Sequence, residues 1–183
     1  SLLPDDIRIN RIEKQNGFID ARSVVRGKHY RYLICTKQIA SAFASTLSWH
    51  SSYPLDVKEM NKALGFLTGT HDFTSFMSAG SDVRTTVRTI ISSRILETED
   101  YLVFDFLGDG FLKHQIRIMS GTLVAVGRGR IQSDDIPSII EAKERTLVPN
   151  TLPGKGLYLY KLFLSPEEME SYIFPDTFKD NIW

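Results

Sequence analysis

The chain has 183 residues, 42% hydrophobic and 24% charged, and its 22 lysines and arginines are balanced by 22 aspartates and glutamates. That composition fits one ordinary globular domain with appendages and excludes a disordered, single-sign polyelectrolyte. No apolar run approaches the length that crosses a bilayer, the first residues lack a signal peptide's basic and apolar regions, and the lone Cys35 cannot close an internal disulfide.

A cytoplasmic protein with a reduced, packed thiol at Cys35 and no membrane partner is the expectation. The sequence opens on Ser1 without a methionine and enters strand-like residues almost at once, which reads as part of a longer protein.

In chain order, Ile7, Ile9 and Ile12 give an approximate strand alternation, and His29 to Thr36 (HYRYLICT) is β-rich, with Tyr30 and Tyr32 on one face. Lys37 to Ser52 reads as polar and irregular. Asp56 and Glu59 form a capping pair ahead of a helix through Val57, Met60, Leu64 and Leu67, with Gly69 as its stop. Val83 to Leu96 and Tyr101 to Leu107 are predicted strands joined by the polar turn Glu97 to Asp100, an antiparallel hairpin. From Gly110 to Arg130, Leu112, Ile116, Met119, Leu123 and Val126 make the buried stripe of a long amphipathic helix. A shorter helix is predicted for Ile136 to Lys143, a last strand for Gly156 to Leu164, and a helix start at Ser165, Pro166 and Glu168. About five strands with interspersed helices describe an α+β fold, an antiparallel sheet with helices on one face and the other face free to bind.

The charges are segregated. Gly110 to Arg130 contains no acidic residue, and Lys113 and Arg117, four apart on one stripe, are expected to present cations from one side of the helix to an anionic partner. Gly121, one turn further, leaves room for the close approach of a backbone or a nucleotide. A core helix with a solvated basic edge is the plainer alternative. Arg84, Arg88 and Arg94 form a further basic set, as do Arg22, Arg26, Lys28 and Arg31, while Glu167, Glu168, Glu170, Asp176 and Asp180 make the tail acidic. In Arg26 to Tyr32 (RGKHYRY) the interleaved rings and cations suit stacking on an extruded base; an amphipathic strand with its tyrosines in the core accounts for the motif equally well.

His29, His50, His71 and His114 lack ligand spacing, so no metal is expected. His71 and Asp72 read either as an acid–base pair or as a packed, hydrogen-bonded turn. Gly127 to Arg130 (GRGR) lacks the strand, turn and helix context of a phosphate loop, and no cofactor is implied.

Taken in order, LLPDDIRI, ARSVVRGKHYRYLI, GTHDFTSF, GFLKHQIRIMSGTLVAVGRGR, EAKERT and GLYLYK resemble the TruA-type tRNA pseudouridine synthases from about Leu2 to Leu164. The resemblance implies a ferredoxin-like catalytic half over residues 1–164, followed by an acidic, aromatic extension over 165–183. It further implies a homodimer that grips the anticodon arm of tRNA and isomerises uridine to pseudouridine there, at positions 38–40, without a cofactor. The base must leave its stack for that chemistry.

The family's catalytic aspartate sits in a motif close to GRTDAGVHA, which this sequence does not contain, so the chain is expected to be inactive alone. By resemblance Tyr30 is the active-site tyrosine that stacks on the target base, and Arg117 pairs with the catalytic carboxylate. Leu157 closes the pocket floor, and Arg22, Lys113 and His114 meet the RNA. Ile19, Asp20 and Lys113 depart from residues common in the family. The rival reading is a non-catalytic RNA-binding module on the same fold; a small-molecule enzyme is a third, distinguished by binding that barely depends on salt.

Overall fold

The computed structural model describes residues 2–4, 6–12, 14, 20, 23–80, 82–149 and 151–176. Its strands are β1 (Gly27–Cys35), β2 (Trp49–His50), β3 (Gly69–Asp72), β4 (Val87–Glu97), β5 (Tyr101–Gly108) and β6 (Leu157–Phe163). Its α-helices are α1 (Ala42–Leu47), α2 (Val57–Leu67), α3 (Gln115–Gly127), α4 (Ile136–Ala142) and α5 (Pro166–Glu170).

The strands form one six-stranded sheet in the order β2-β1-β5-β4-β3, with β6 also pairing β1. The β4–β5 hairpin and the β1–β5, β1–β6 and β3–β4 ladders are antiparallel, whereas β2 runs parallel to β1 through Ile34 and Cys35. The expected α+β architecture therefore holds, but the sheet is mixed and has six strands. Two of the six were not predicted: β3, whose residues were read as a helix stop and the His71–Asp72 pair, and β2, inside the stretch read as irregular. There Ser41 caps α1 by accepting from Ala44 N–H, and only two residues, Trp49 and His50, follow in the strand. So short a segment carries no alternation to read.

Side-chain alternation divides β1 and β5 cleanly. Tyr32, Ile34, Phe104 and Phe106 join the core against Met60, Leu64 and Leu67 of α2 and Ile116, Met119 and Leu123 of α3, all buried. The helical stripe predicted for α3 is buried throughout. Asp56 caps α2 by accepting from Glu59 N–H, but Glu59 turns to accept from Ser133 rather than closing a capping box. Ser165 caps α5 as expected, accepting from Glu168 N–H.

Three expectations change. Residues 6–12 form no strand, and Ile7, Ile9 and Ile12 are exposed, because no neighbouring strand pairs their backbone. β4 begins at Val87 rather than Val83. The long helix begins at Gln115, since His114 takes the left-handed conformation at φ 62° and the Gln115 side chain accepts from Leu112 N–H, turning residues 110–114 into a loop.

The sheet face opposite α2 and α3 is not free. Tyr172 and Phe174 stack on His29, and Pro175 and Asp176 meet Arg94. Phe178 and Trp183 lie outside the described residues.

Candidate functional site

Tyr30 stands two residues before Tyr32 on the helix-covered face of β1, half-buried, its ring edge-on to Phe111 at 5.3 Å between centroids. Burial pushes its hydroxyl pKa up, so it holds its proton at neutral pH. Tyr32 is a core residue, fully buried, whose hydroxyl donates to the Pro153 carbonyl at 2.8 Å. The two readings of RGKHYRY thus divide between its two rings: one lies in the core and one borders solvent.

Arg117, in the first turn of α3, donates from Nε to the Leu152 carbonyl at 2.5 Å, while Leu152 N–H donates back to the Arg117 carbonyl. The loop before β6 therefore clasps both the backbone and the side chain of Arg117. Its guanidinium lies close enough to act electrostatically on Tyr32, opposing the burial that raises that phenol's pKa. Leu157 opens β6 directly opposite Tyr32 in register, and Leu159, half-exposed, stands opposite Tyr30. Gly156 makes this packing possible: a Cβ there would sit 2.8 Å from the Leu33 carbonyl oxygen and 3.0 Å from the Tyr32 ring.

Arg117 and Leu157 thus both border Tyr32, one through its charge and one through strand register, and Tyr30 stands two residues before Tyr32 on the same face of β1. Phe111 and Leu159 complete the apolar border of Tyr30. They were missed in the sequence because one lies on the irregular approach to α3 and the other depends on the β-bulge that sets the β1–β6 register between His29 and Tyr30.

Lys113 is exposed and lies off the helix, so it does not share a rigid stripe with Arg117; the left-handed His114 separates them. His114 is also exposed, and its Nδ1 hydrogen-bonds the Ser78 hydroxyl at 2.8 Å. Partial desolvation, then the Arg117 and Lys113 charges, hold its pKa below the usual histidine value. The first turn of α3 carries no acid. The helix N-terminus thus has the Lys113 and Arg117 side chains beside it and no acid in its first turn, a setting that favours an anion. Arg22 and Ile19 lie outside the described residues.

A second polar constellation, on the opposite sheet face, was not anticipated. Asp105 is fully buried and accepts from His29 Nε2 (2.8 Å), Arg31 Nε (2.7 Å) and Arg94 Nε (3.0 Å). Arg31 and Arg94 are its direct cross-strand neighbours on β1 and β4. Because the carboxylate can only accept, His29 donates from Nε2 and its Nδ1 accepts from the Tyr172 hydroxyl, 3.0 Å away. Burial pushes the Asp105 pKa up, but the hydrogen bonds from His29 and Arg31 outweigh it and the net shift is downward. Two arginines of the basic sets read from the sequence, Arg31 and Arg94, are therefore internal counter-charges. Asp72 resolves the other ambiguous pair: it accepts from Thr86, from Thr74 hydroxyl and amide, and from Lys143, which hold its pKa well below the carboxylate range, while His71 Nε2 bonds the Thr68 carbonyl. This is a packed turn.

A mixed sheet backed by helices, with Arg117 and the loop before β6 packed beside Tyr32, sets the frame for the comparison with known proteins. The tRNA pseudouridine synthase family model matches residues 63–163, more than half of the sequence, and the chain belongs to that family.

Among its relatives, the "tRNA pseudouridine synthase A 1" of Bacillus cereus strain ZK / E33L is 41% identical over 162 residues, covering 88% of this chain and 66% of that protein. The "tRNA pseudouridine synthase A" of Acetivibrio thermocellus is 44% identical over 163 residues, with the same coverages. That of Exiguobacterium sibiricum is 44% identical over 163 residues, covering 89% of this chain and 65% of that protein. The chain spans just under two thirds of the length of these relatives.

Proposed function

We propose that this chain is the catalytic-side portion, over residues 1–164, of an isomerase that converts uridine to pseudouridine in the anticodon arm of tRNA, working as a cytoplasmic homodimer. The grouping of Tyr30, Arg117 and Leu157 beside Tyr32 carries the reading, because these residue types suit an extruded base and an attacking carboxylate. In it, Tyr30 stacks on the base, Leu157 and Leu159 exclude water beneath it, and Arg117, fixed by Leu152, keeps a nearby carboxylate ionised and oriented. Lys113, His114 and Arg22 meet the phosphates. The carboxylate adds to the nucleotide, the glycosidic C–N bond breaks, and the base turns and rejoins the sugar through C5; the carboxylate is released, the C5 proton leaves and N1 takes up a proton.

No GRTDAGVHA-like segment occurs in the sequence, and Asp20, Asp72, Asp105 and Asp109 do not fit the role: Asp20 sits in no matching context, Asp105 is held by two arginines and His29 on the far face, Asp72 by its turn, and Asp109 accepts from Thr89 N–H. The nucleophile is therefore expected from polypeptide outside these residues. Tritium release from tRNA labelled at uridine C5 tests the assignment. The chain alone is expected to give none, and the chain supplemented with a GRTD-bearing amino-terminal half to turn over; turnover by the chain alone would show that the nucleophile is misassigned.

A further inference from the structure

The GRGR segment is absorbed by no part of this reading, yet it forms a closely hydrogen-bonded turn. Gly129 takes φ 68° after α3, Gly129 N–H donates to the Val126 carbonyl, and Arg130 N–H donates to that of Ala125, the paired bonds of a Schellman cap. The cap reverses the chain and sets Arg130 back beside the helix. Arg128, at the cap itself, lies 5.4 Å from the Trp49 ring centre and 5.0 Å from that of Tyr53, and its Nη2 donates to Ser51. Among the described residues its buried Nε meets no acceptor.

Between this turn and the 148–152 loop lies a cleft of about 430 Å³, with Gly121, Ala125, Val148 and Leu152 as apolar lining and Trp49, Arg128 and Arg130 at its polar side. No carboxylate lines it, and among the described residues neither arginine pairs with one, in contrast to Arg31, Arg94, Lys37, Lys62 and Lys143. The chemistry selects a ligand with a flat or apolar portion and an adjoining anion.

Position identifies its source. Arg117, Gly121, Ala125 and Arg128 follow one stripe of α3, and eleven residues of helix carry Arg128 about 16 Å from Arg117. Leu152 belongs to both places, holding Arg117 through its carbonyl and lining the cleft. Gly121, which carries no side chain, lies on this track and lines the cleft.

We propose that the cleft is a second nucleotide subsite, which takes an unpaired RNA nucleotide beside the one bound at Tyr30, its base against Trp49 and the Gly121–Ala125 surface and its phosphate on Arg130 and Arg128. The proposal rests on the tRNA reading above. It assigns GRGR to substrate grip rather than to the helix cap alone.

The test uses the full chain with Trp183→Phe, which leaves Trp49 as the sole tryptophan, and an end-labelled anticodon stem–loop RNA followed by anisotropy together with Trp49 emission. Binding is expected to quench Trp49 with the same midpoint as the anisotropy. Arg130→Glu, at an exposed side chain, is expected to weaken binding about tenfold and lower the salt slope by about one, with an unchanged melting temperature. Arg130→Gln should fall between. Binding seen by anisotropy that leaves Trp49 emission unmoved and is insensitive to Arg130 would overturn the subsite while leaving the tRNA reading intact; absence of any binding would remove both. Trp49 emission that follows protein concentration without RNA would make the cleft a contact between copies, and would likewise overturn the proposal.

Discussion

Asp105 shows how one residue can tie strands together that the linear sequence keeps far apart. It sits in the run YLVFDFLG, where alternation places it with Val103 and Leu107 on the face away from the helices, and register sets Arg31 and Arg94 on either side. Opposite charges directly across an antiparallel ladder attract, and here burial removes the screening that makes surface pairs weak. Replacing one partner leaves the others charged and unpaired, so Asp105→Asn is expected to cost about 3–5 kcal/mol, read as a lowered urea midpoint at pH 7. The folded-state pKa lies below that of an unfolded aspartate, so the unfolded chain binds the proton more readily. The stabilisation is present in full above the unfolded value of about 3.9 and is lost as pH falls through it toward the folded one. Urea midpoints between pH 7 and pH 3 are expected to converge for Asp105→Asn and the parent chain; a constant gap would sink the assignment. On the other face, Tyr32→Phe removes one buried hydrogen bond to Pro153 and should cost about 1 kcal/mol.

Among the elements, the structure rewarded periodic signals and punished short or interrupted ones. The core stripe of α3, the β4–β5 hairpin, β1, β6 and the caps at Asp56 and Ser165 were legible because each is a repeated pattern or a local hydrogen bond written in adjacent residues. The start of α3 was not, since nothing in KHQIR announces a left-handed His114, and Lys113 was placed on a helix it does not join. The six-residue α1 and two-residue β2 are too short to show a period. Tyr30 and Arg117 were singled out by resemblance, whereas the packing of Arg117 and Tyr32 against the 152–157 loop is visible only once Gly156 is seen beneath Tyr32. That glycine gives a direct check: Gly156→Ala drives a methyl against a backbone oxygen and a packed ring, neither free to move, and should destabilise by about 1–3 kcal/mol in thermal or urea unfolding. Asp56→Ala, which removes only the α2 cap, should cost about 1 kcal/mol, with the core packing preserved.

Across the whole molecule, the principal departure from expectation is the occupied back of the sheet. An amphipathic sheet with helices on one side exposes apolar area on the other unless something covers it, and here the segment after α5 does so. Tyr172 packs edge-on against Phe163 at 4.9 Å and donates to His29, Phe174 sits over the Arg94 guanidinium at 5.3 Å, and the Pro175 carbonyl accepts from both Arg31 and Arg94. Through these bonds the aromatic part of the extension joins the Asp105 network, while its acidic side chains Glu167, Glu168, Glu170 and Asp176 stay exposed. The Asp176 carboxylate is itself highly exposed, and its ion pair with Arg94 adds little; the rings and the Pro175 carbonyl are what count. Ending the chain at Ser171 would bring the His29 ring and the arginines into contact with water and remove two partly buried aromatic side chains. The expected loss is about 2–4 kcal/mol, on the scale of burying one or two such residues. Hydrogen exchange locates the effect: amides of β1 and β5 beside Asp105 should lose protection, while those of α2 and α3, on the opposite face, keep theirs relative to the global unfolding rate. Equal loss everywhere would mean that the strap stabilises the fold only globally, and unchanged protection at β1 would mean that the carboxylate network holds without its cover.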